Sequence, residues 1–319
     1  LVSSSAASDV YKRQIIGYGK MGSIFKEAVK ETNSAKLLMI GSKTKQGNGV
    51  YNYESILDND QIDAIYISTL NNTHNELIKQ ILKRGKKILC EKPLTTSLNK
   101  LDQIKNDLNN KNHYLYEAIA YYSHPQTIEI LNLLNSNEIG DIVKVECNFG
   151  FKARVKKNSR LFDPNLGGGS LLDLGCYPIS FLMLFCSSFD KFKLLNSKIS
   201  YASTSVDDEA EAEFLCNDKF KANVKFRIKY NLENKCKIFG TRGEIIIDNP
   251  WLPEKKGTIT VTNNKHFFRK TIESKLSVYA NQIENVSNIF LGNTINFNNM
   301  FDFNKSYTCM KLIELWRKN

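Results

Sequence analysis

A lysine, an aspartate and a tyrosine stand where reactive side chains are useful. Lys92 follows the apolar run Lys87-Ile88-Leu89-Cys90 and then Glu91, and Pro93 comes next. A lysine at the end of a buried strand, followed by the fixed φ of proline, is held on a stiff backbone. Lysine is solvated by default, but this position and the neighbouring Glu91 point to a held ammonium. Asp173 and Tyr177 lie in the run Gly167-Gly168-Gly169-Ser170-Leu171-Leu172-Asp173-Leu174-Gly175-Cys176-Tyr177-Pro178. Their spacing sets both on one face of a helix. Each interrupts an apolar stretch; a buried carboxylate needs a partner and a buried phenol usually finds one. Such groups can hold or move a proton. The same pair also reads as a structural hydrogen bond between helix and core.

A second set of residues suits an anionic cofactor. Ile15-Ile16-Gly17-Tyr18-Gly19-Lys20-Met21-Gly22 reads as strand, glycine turn and helix start. Gly17 permits the turn, Gly19 leaves room for a pyrophosphate, and Gly22 lets helix and strand pack closely. The helix N-terminus supplies free N–H groups and a positive dipole end. About twenty residues on, an acidic residue would hold the ribose of NAD. Ser42-Lys43-Thr44-Lys45 stands there instead. A hydroxyl at Ser42 and an ammonium at Lys43 suit a 2′-phosphate, so NADP is favoured over NAD. The polar turn Thr69-Leu70-Asn71-Asn72-Thr73-His74 follows a buried strand and can line the dinucleotide, although a lone His74 also fits a helix start.

Elements able to position these residues are legible in the pattern. Strands at Lys36–Gly41, Ile62–Ser68, Lys87–Cys90 and His113–Glu117 alternate with helices at Asn75–Lys83 and Leu98–Leu108, which implies βαβ units and a parallel sheet. Ligands sit beyond the carboxyl ends of such strands. After about residue 140 the strands Val143–Phe151, Ala210–Leu215, Lys221–Ile228, Lys235–Phe239, Glu244–Ile247 and Thr258–Thr262 imply a mostly antiparallel sheet. Helices at Thr127–Leu134, Ser170–Phe185, Val278–Phe290 and Phe303–Trp316 would cover one of its faces. The fold class is therefore α/β, with one domain over residues 15–120 and a second over 121–319.

Composition excludes several classes. The 319 residues are 42% hydrophobic and 24% charged, as expected of well-cored globular domains. No segment reads as a membrane span. The seven cysteines are odd in number and scattered, which suits reduced thiols in a cytoplasm and no metal site. A net charge of +11 comes from spread lysines; the only dense basic run is Arg154-Val155-Lys156-Lys157, so no nucleic-acid groove is expected. The segment 1–14 lacks the apolar start of a first strand. It resembles the in-frame translation of a sequencing adapter and is expected to be a scar, which leaves the first strand either short, from Ile15, or filled by Val10 and Tyr11.

Taken in order, Gly17-x-Gly19-x-x-Gly22, Glu91-Lys92-Pro93, Glu117-Ala118 with Tyr122-x-His124-Pro125, Ser159-Arg160-Leu161-Phe162-Asp163-Pro164, the Gly167–Pro178 run and Gly240-Thr241-Arg242-Gly243 resemble the glucose–fructose oxidoreductase/inositol dehydrogenase (Gfo/Idh/MocA) family. Within it the chain is most similar to the branch of dimeric dihydrodiol dehydrogenases and D-xylose dehydrogenases, over about residues 15–317. The resemblance implies a Rossmann domain plus an α/β domain with a large open sheet, often a dimer interface, so a homodimer or homotetramer is expected. It implies that Gly17, Gly19, Lys20, Met21 and Gly22 line the pyrophosphate, and that Ser42, Lys43, Thr69, Leu70, Asn71, His74, Glu91 and Pro93 complete the cofactor site. Lys92 would sit between nicotinamide and substrate, Tyr177 would be the acid/base with its pKa lowered by Lys92, and Asp173 would help hold a sugar or related cyclic alcohol. One departure is Leu70, where relatives usually have proline. A non-catalytic dinucleotide sensor would be expected to lack the lysine or tyrosine, and both are present. A reductase of a nucleotide-linked sugar is a further reading, with the basic Arg154–Lys157 run meeting a phosphate.

Overall fold

The computed structural model describes residues 11–45, 47, 49–108, 114–154, 159–186, 188–293 and 300–319. Six strands, β1 (Tyr11–Ile16), β2 (Ala35–Gly41), β3 (Val50–Tyr51), β4 (Ala64–Ile67), β5 (Lys87–Cys90) and β6 (Leu115–Glu117), pair in parallel in the order β3-β2-β1-β4-β5-β6. Helices α1 (Lys20–Val29), α2 (Tyr53–Leu57), α3 (His74–Lys83) and α4 (Leu98–Leu108) alternate with them. β4 is apolar throughout and wholly buried, as a parallel strand covered on both faces must be. The strand order reverses between β1 and β4, so the crevice at their carboxyl ends is the natural ligand site.

β1 begins at Tyr11, not residue 15, because parallel pairing with β2 runs back to Tyr11↔Ala35. Residues 11–14 thus form most of the central strand, with Tyr11 at its start; residues 1–10 lie outside the described residues, as does His113. The pairing forces two polar side chains inside. Arg13 and Gln14 are fully buried, and Arg13 Nη1 and both amide atoms of Gln14 find no partner among the described residues.

The second domain carries α5 (Pro125–Asn135), β7 (Ile142–Gly150), α6 (Ser170–Asp173), α7 (Cys176–Leu182), β8 (Phe192–Tyr201), β9 (Asp207–Cys216), β10 (Phe220–Arg227), β11 (Lys235–Gly240), β12 (Gly243–Asp248), β13 (Lys256–Asn263) and β14 (Phe267–Glu273). Helices α8 (Val278–Phe290) and α9 (Phe303–Arg317) end the chain. Its eight strands lie in the order β14-β13-β12-β11-β7-β10-β9-β8, antiparallel except for β7 beside β10. Along β9, Ala210, Ala212, Phe214 and Cys216 point to the core while Glu209, Glu211 and Glu213 point away. The sequence reading missed β8 and β14. Both are edge strands with mixed burial, so neither carries a clean alternation.

Two helices depart from expectation. The single helix expected over 170–185 is broken into α6 and α7: a Cβ on Gly175 would lie 2.5 Å from Leu171 O, and Pro178 has no N–H to continue the ladder to Leu174. Asp173 and Tyr177 therefore sit on consecutive short helices instead of one helical face. α8 covers the first sheet, not the second: Ala280, Ile283, Val286 and Ile289 share a core with Ile15, Phe25, Ala28 and Tyr66. Among the described residues no helix is long and apolar enough to cross a membrane, no cluster could hold a metal, and all seven cysteines are free and buried.

Candidate active site

At the carboxyl end of β1, Gly17 has φ +99°, and a Cβ there would lie 2.7 Å from the backbone of Ser68. Ser68 Oγ donates to Gly17 O at 2.7 Å and ties the turn to β4. Gly22 is closed in: its Cβ would lie 2.3 Å from Gly17 O. Gly19, the N-cap of α1, faces open space, with no side chain capping the helix and no acid in its first turn. The N–H groups of the turn at Lys20, Met21 and Gly22 precede any intrahelical partner. An uncapped helix end beside an unfilled glycine fits a pyrophosphate.

At the end of β2, Ser42 Oγ accepts N–H groups from Thr44 (3.2 Å) and Lys45 (2.9 Å), which closes the turn. Lys43 and Lys45 are exposed; Lys43 Nζ lies 5.4 Å from the Tyr53 ring centre and Lys45 Nζ 4.7 Å from that of Tyr18. Lys45 and Tyr18 therefore stand together beside the Ser42–Lys43 turn, to which the sequence reading limited this part of the cofactor site. A cation over the face of an aromatic ring is the signal that spacing alone could not give.

The Thr69–His74 turn holds together differently from expectation. Leu70 is exposed with φ −72° and ψ 143°, the backbone a proline would adopt, so its departure from the usual proline leaves the turn's shape intact. Asn71 is buried and donates to Gly167 O at 3.0 Å, linking the turn to the glycine run of the second domain. Thr69 Oγ1 pairs with Thr73 Oγ1 at 2.7 Å. His74, read as lining the dinucleotide, has no exposed surface at all. Its Nδ1 contacts Pro93 O at 3.0 Å and its Nε2 Thr69 O at 3.4 Å. Burial pushes its pKa down to about 4, so the ring is neutral and its single N–H donates to one of these carbonyls, Pro93 O being the closer.

Lys92 lies at the meeting of both domains. Glu91 is buried, accepts from Tyr66 Oη at 2.5 Å and from the Lys92 N–H at 3.3 Å, and burial raises its pKa. The Lys92–Pro93 peptide is cis. Behind it Glu117 accepts from Leu94 N at 3.0 Å, and burial carries this carboxyl up to about 7. Lys92 Nζ donates to Asp173 O (2.6 Å) and Asp173 Oδ1 (3.2 Å), and lies 5.0 Å from the Tyr177 ring centre. Arg160 Nη1 donates to the same Asp173 Oδ1 at 3.1 Å. Burial opposes charge on Lys92, but Asp173, Cys176 and Glu91 outweigh it, so the ammonium is kept. Burial likewise opposes charge on Asp173, and Lys92 and Arg160 outweigh it.

Tyr177 packs edge-on against Phe149, with ring centres 5.2 Å apart. Its pKa is not lowered, as Lys92 was expected to do. Burial raises it well above 10, with Cys176, Tyr279, Glu91 and Asp173 adding to the effect. Lys92 spends its short hydrogen bonds on Asp173 and presents its charge to the ring, which explains the reversal. Tyr177 is thus a phenol, a proton donor. Sequence reading assigned no role to Arg160 or to Tyr279, which arrives on α8; burial, with Glu91, lifts the Tyr279 pKa to about 12. Of the basic run Arg154–Lys157, residues 155–157 lie outside the described residues.

Residues 12–118 match the model of the oxidoreductase family with an NAD-binding Rossmann fold, and residues 127–246 match the GFO/IDH/MocA C-terminal domain. The chain belongs to the Gfo/Idh/MocA family. A trans-1,2-dihydrobenzene-1,2-diol dehydrogenase of Xenopus tropicalis is 30% identical over 67% of this chain and 63% of its own length. D-xylose 1-dehydrogenase (NADP(+)) 2 of Haloferax volcanii is 36% identical over 44% of this chain and 42% of its own length. The matches thus span less than two thirds of these relatives. A 3-ketoreductase of Actinomadura kijaniata, solved with NADP and TDP-benzene, shares the fold with a TM-score of 0.86 at 19% identity, covering 97% of each chain. Within this Gfo/Idh/MocA chain the structure brings Lys92, Asp173 and Tyr177 into one cluster, while His74 stays behind the loop it braces.

Proposed function

We propose that the protein is an NADP-dependent oxidoreductase acting on a sugar or related cyclic alcohol or ketone. The observation that carries this is the Lys92 ammonium, fixed by Asp173 beside Tyr177 at the carboxyl end of β5. Nicotinamide, when bound, supplies the hydride chemistry. Gly19, Lys20, Met21 and Gly22 would hold the pyrophosphate, and Ser42, Lys43 and Lys45 the 2′-phosphate, since no acid among these residues repels it. Lys92 would hydrogen-bond the reacting oxygen, and the phenol of Tyr177 would give it a proton in reduction; in oxidation Tyr177 would first have to lose its own proton to solvent before it could accept one from the alcohol. The curated relatives named for dihydrodiols and for D-xylose support a neutral cyclic substrate. A homodimer or homotetramer through the open face of the second sheet, and a cytoplasmic location, belong to the same reading.

A reductase of a nucleotide-linked sugar is the second reading. It is favoured by relatives named as dTDP-3,4-didehydro-2,6-dideoxy-alpha-D-glucose 3-reductase, one of them 32% identical over 44% of this chain. The deciding experiment measures turnover with free pentoses, hexoses, inositols, trans-dihydrodiols and a nucleotide-linked keto sugar, each with NADP and NAD. Turnover of a free cyclic alcohol with NADP is expected. Activity with the nucleotide-linked sugar alone selects the second reading, and no turnover with any substrate rejects both.

A further inference from the structure

Asp173 Oδ1 is shared by two cations, Lys92 Nζ at 3.2 Å and Arg160 Nη1 at 3.1 Å. The two differ in setting: the Lys92 and Asp173 side chains are 13% and 9% exposed, that of Arg160 47%. We propose that Arg160 is a positioning residue that acts through Asp173, taking part of its negative charge so that the Lys92 ammonium stays available to a reacting oxygen. This rests on the function proposed above.

Charge balance is the reason. With Arg160, the three side chains carry a net positive charge beside the place where an oxygen becomes anionic, and such preorganised charge stabilises it. Without Arg160, Lys92 and Asp173 form a closed neutral pair, and in a poorly solvated site the pair's attraction holds the ammonium back. The other groups facing Lys92 do not replace Arg160. Glu91 and Glu117 are carboxyls, and Cys176, Tyr177 and Tyr279 are neutral acids with raised pKa. Arg160 also lowers the Lys92 pKa, against the pull of Asp173.

The backbone at Arg160 is placed without help from its side chain. The residue opens a single turn, Arg160–Phe162, whose Leu161 O accepts from Gly169 N at 2.9 Å, while Gly168 N donates to Asp163 O at 3.0 Å. A Cβ on Gly168 would lie 2.7 Å from Arg160 O, so the glycine run clasps this turn. Truncation of the half-exposed side chain therefore leaves the turn in place and opens a solvent-facing space the size of a guanidinium.

Three variants test this with a substrate found in the panel above. Arg160→Ala is expected to lower kcat about tenfold, while substrate KM and NADP affinity stay within about twofold. Millimolar guanidinium should restore kcat, where equal sodium chloride does not, and Arg160→Lys should keep more of it than Arg160→Ala. An unchanged kcat, a loss confined to KM (the sign of direct substrate contact), or failure of both guanidinium and Arg160→Lys to recover activity overturns the proposal. Lys92→Ala separates the two levels. If it is fully active, the proposed function fails; if it loses turnover while Arg160→Ala does not, only the role of Arg160 fails.

Discussion

At the scale of single residues, the account turns on where one ammonium spends its hydrogen bonds. Lys92 gives them to Asp173 and leaves Tyr177 a phenol. Tyr177→Phe should then cut turnover at least about tenfold, with NADP binding by fluorescence titration unchanged. The phenol does not ionise near neutral pH, so carbonyl reduction should show no loss between pH 7 and 9 assignable to Tyr177; an alkaline limb that disappears in Tyr177→Phe would contradict this. The positions of Lys92, Asp173 and Tyr177 were legible in the sequence because each sits at a boundary marked by proline or glycine. The direction of the Tyr177 shift was not legible. It depends on burial and on which acceptor Lys92 reaches, and spacing encodes neither.

At the scale of elements, loops are fixed by buried polar braces. His74 joins Thr69 to Pro93, with its pKa held down to about 4. A depressed histidine pKa means the folded state binds fewer protons than the unfolded one. Its stabilisation is full above the ordinary value of 6.5 and is lost as pH falls through about 4. Thermal melts from pH 7.5 to 4.5 should show this loss, and His74→Gln should melt lower at pH 7.5 but with a shallower decline. The shift from 6.5 to about 4 sets the scale of the His74 loss at about 3 kcal/mol, and the similarly depressed His124 adds a decline of its own in the same window, which His74→Gln would retain. A decline as steep as wild type would contradict the brace.

Strand β1 gives the clearest local conflict. Among the described residues neither amide atom of buried Gln14 nor Nη1 of Arg13 has a partner, and Arg13 rests on Ser287 through Nη2 at 2.6 Å. Gln14→Val should stabilise the fold by about 1–3 kcal/mol in urea unfolding, since a buried unmade hydrogen bond costs that much. No gain, or a loss, would show that the amide is satisfied in solution. The break between α6 and α7 was marked in the sequence by Gly175 and Pro178. The apolar run through Phe185 masked it, because burial pattern alone cannot separate one buried helix from two.

At the scale of the whole molecule, the two sheets and their order of appearance follow from the change of period near residue 140. The placement of α8 did not. Its apolar face fits either sheet, and only the tertiary contacts with Phe25 and Tyr66 choose the first. The outer face of the second sheet carries Glu209, Glu211 and Glu213 beside Lys221, Lys225 and Arg227 on the neighbouring strand. Light scattering across salt concentrations tests assembly through this face: a dimer at low salt that a charge reversal at Glu211 weakens is expected, and a monomer at all concentrations would remove it from the account.

The central claim is that Lys92 acts on the oxygen at which hydride transfer occurs. Its most direct test is the single-turnover rate of nicotinamide oxidation or reduction at saturating NADP(H), wild type against Lys92→Ala. A fall of more than about tenfold with cofactor affinity unchanged is the predicted result. Equal single-turnover rates would contradict it.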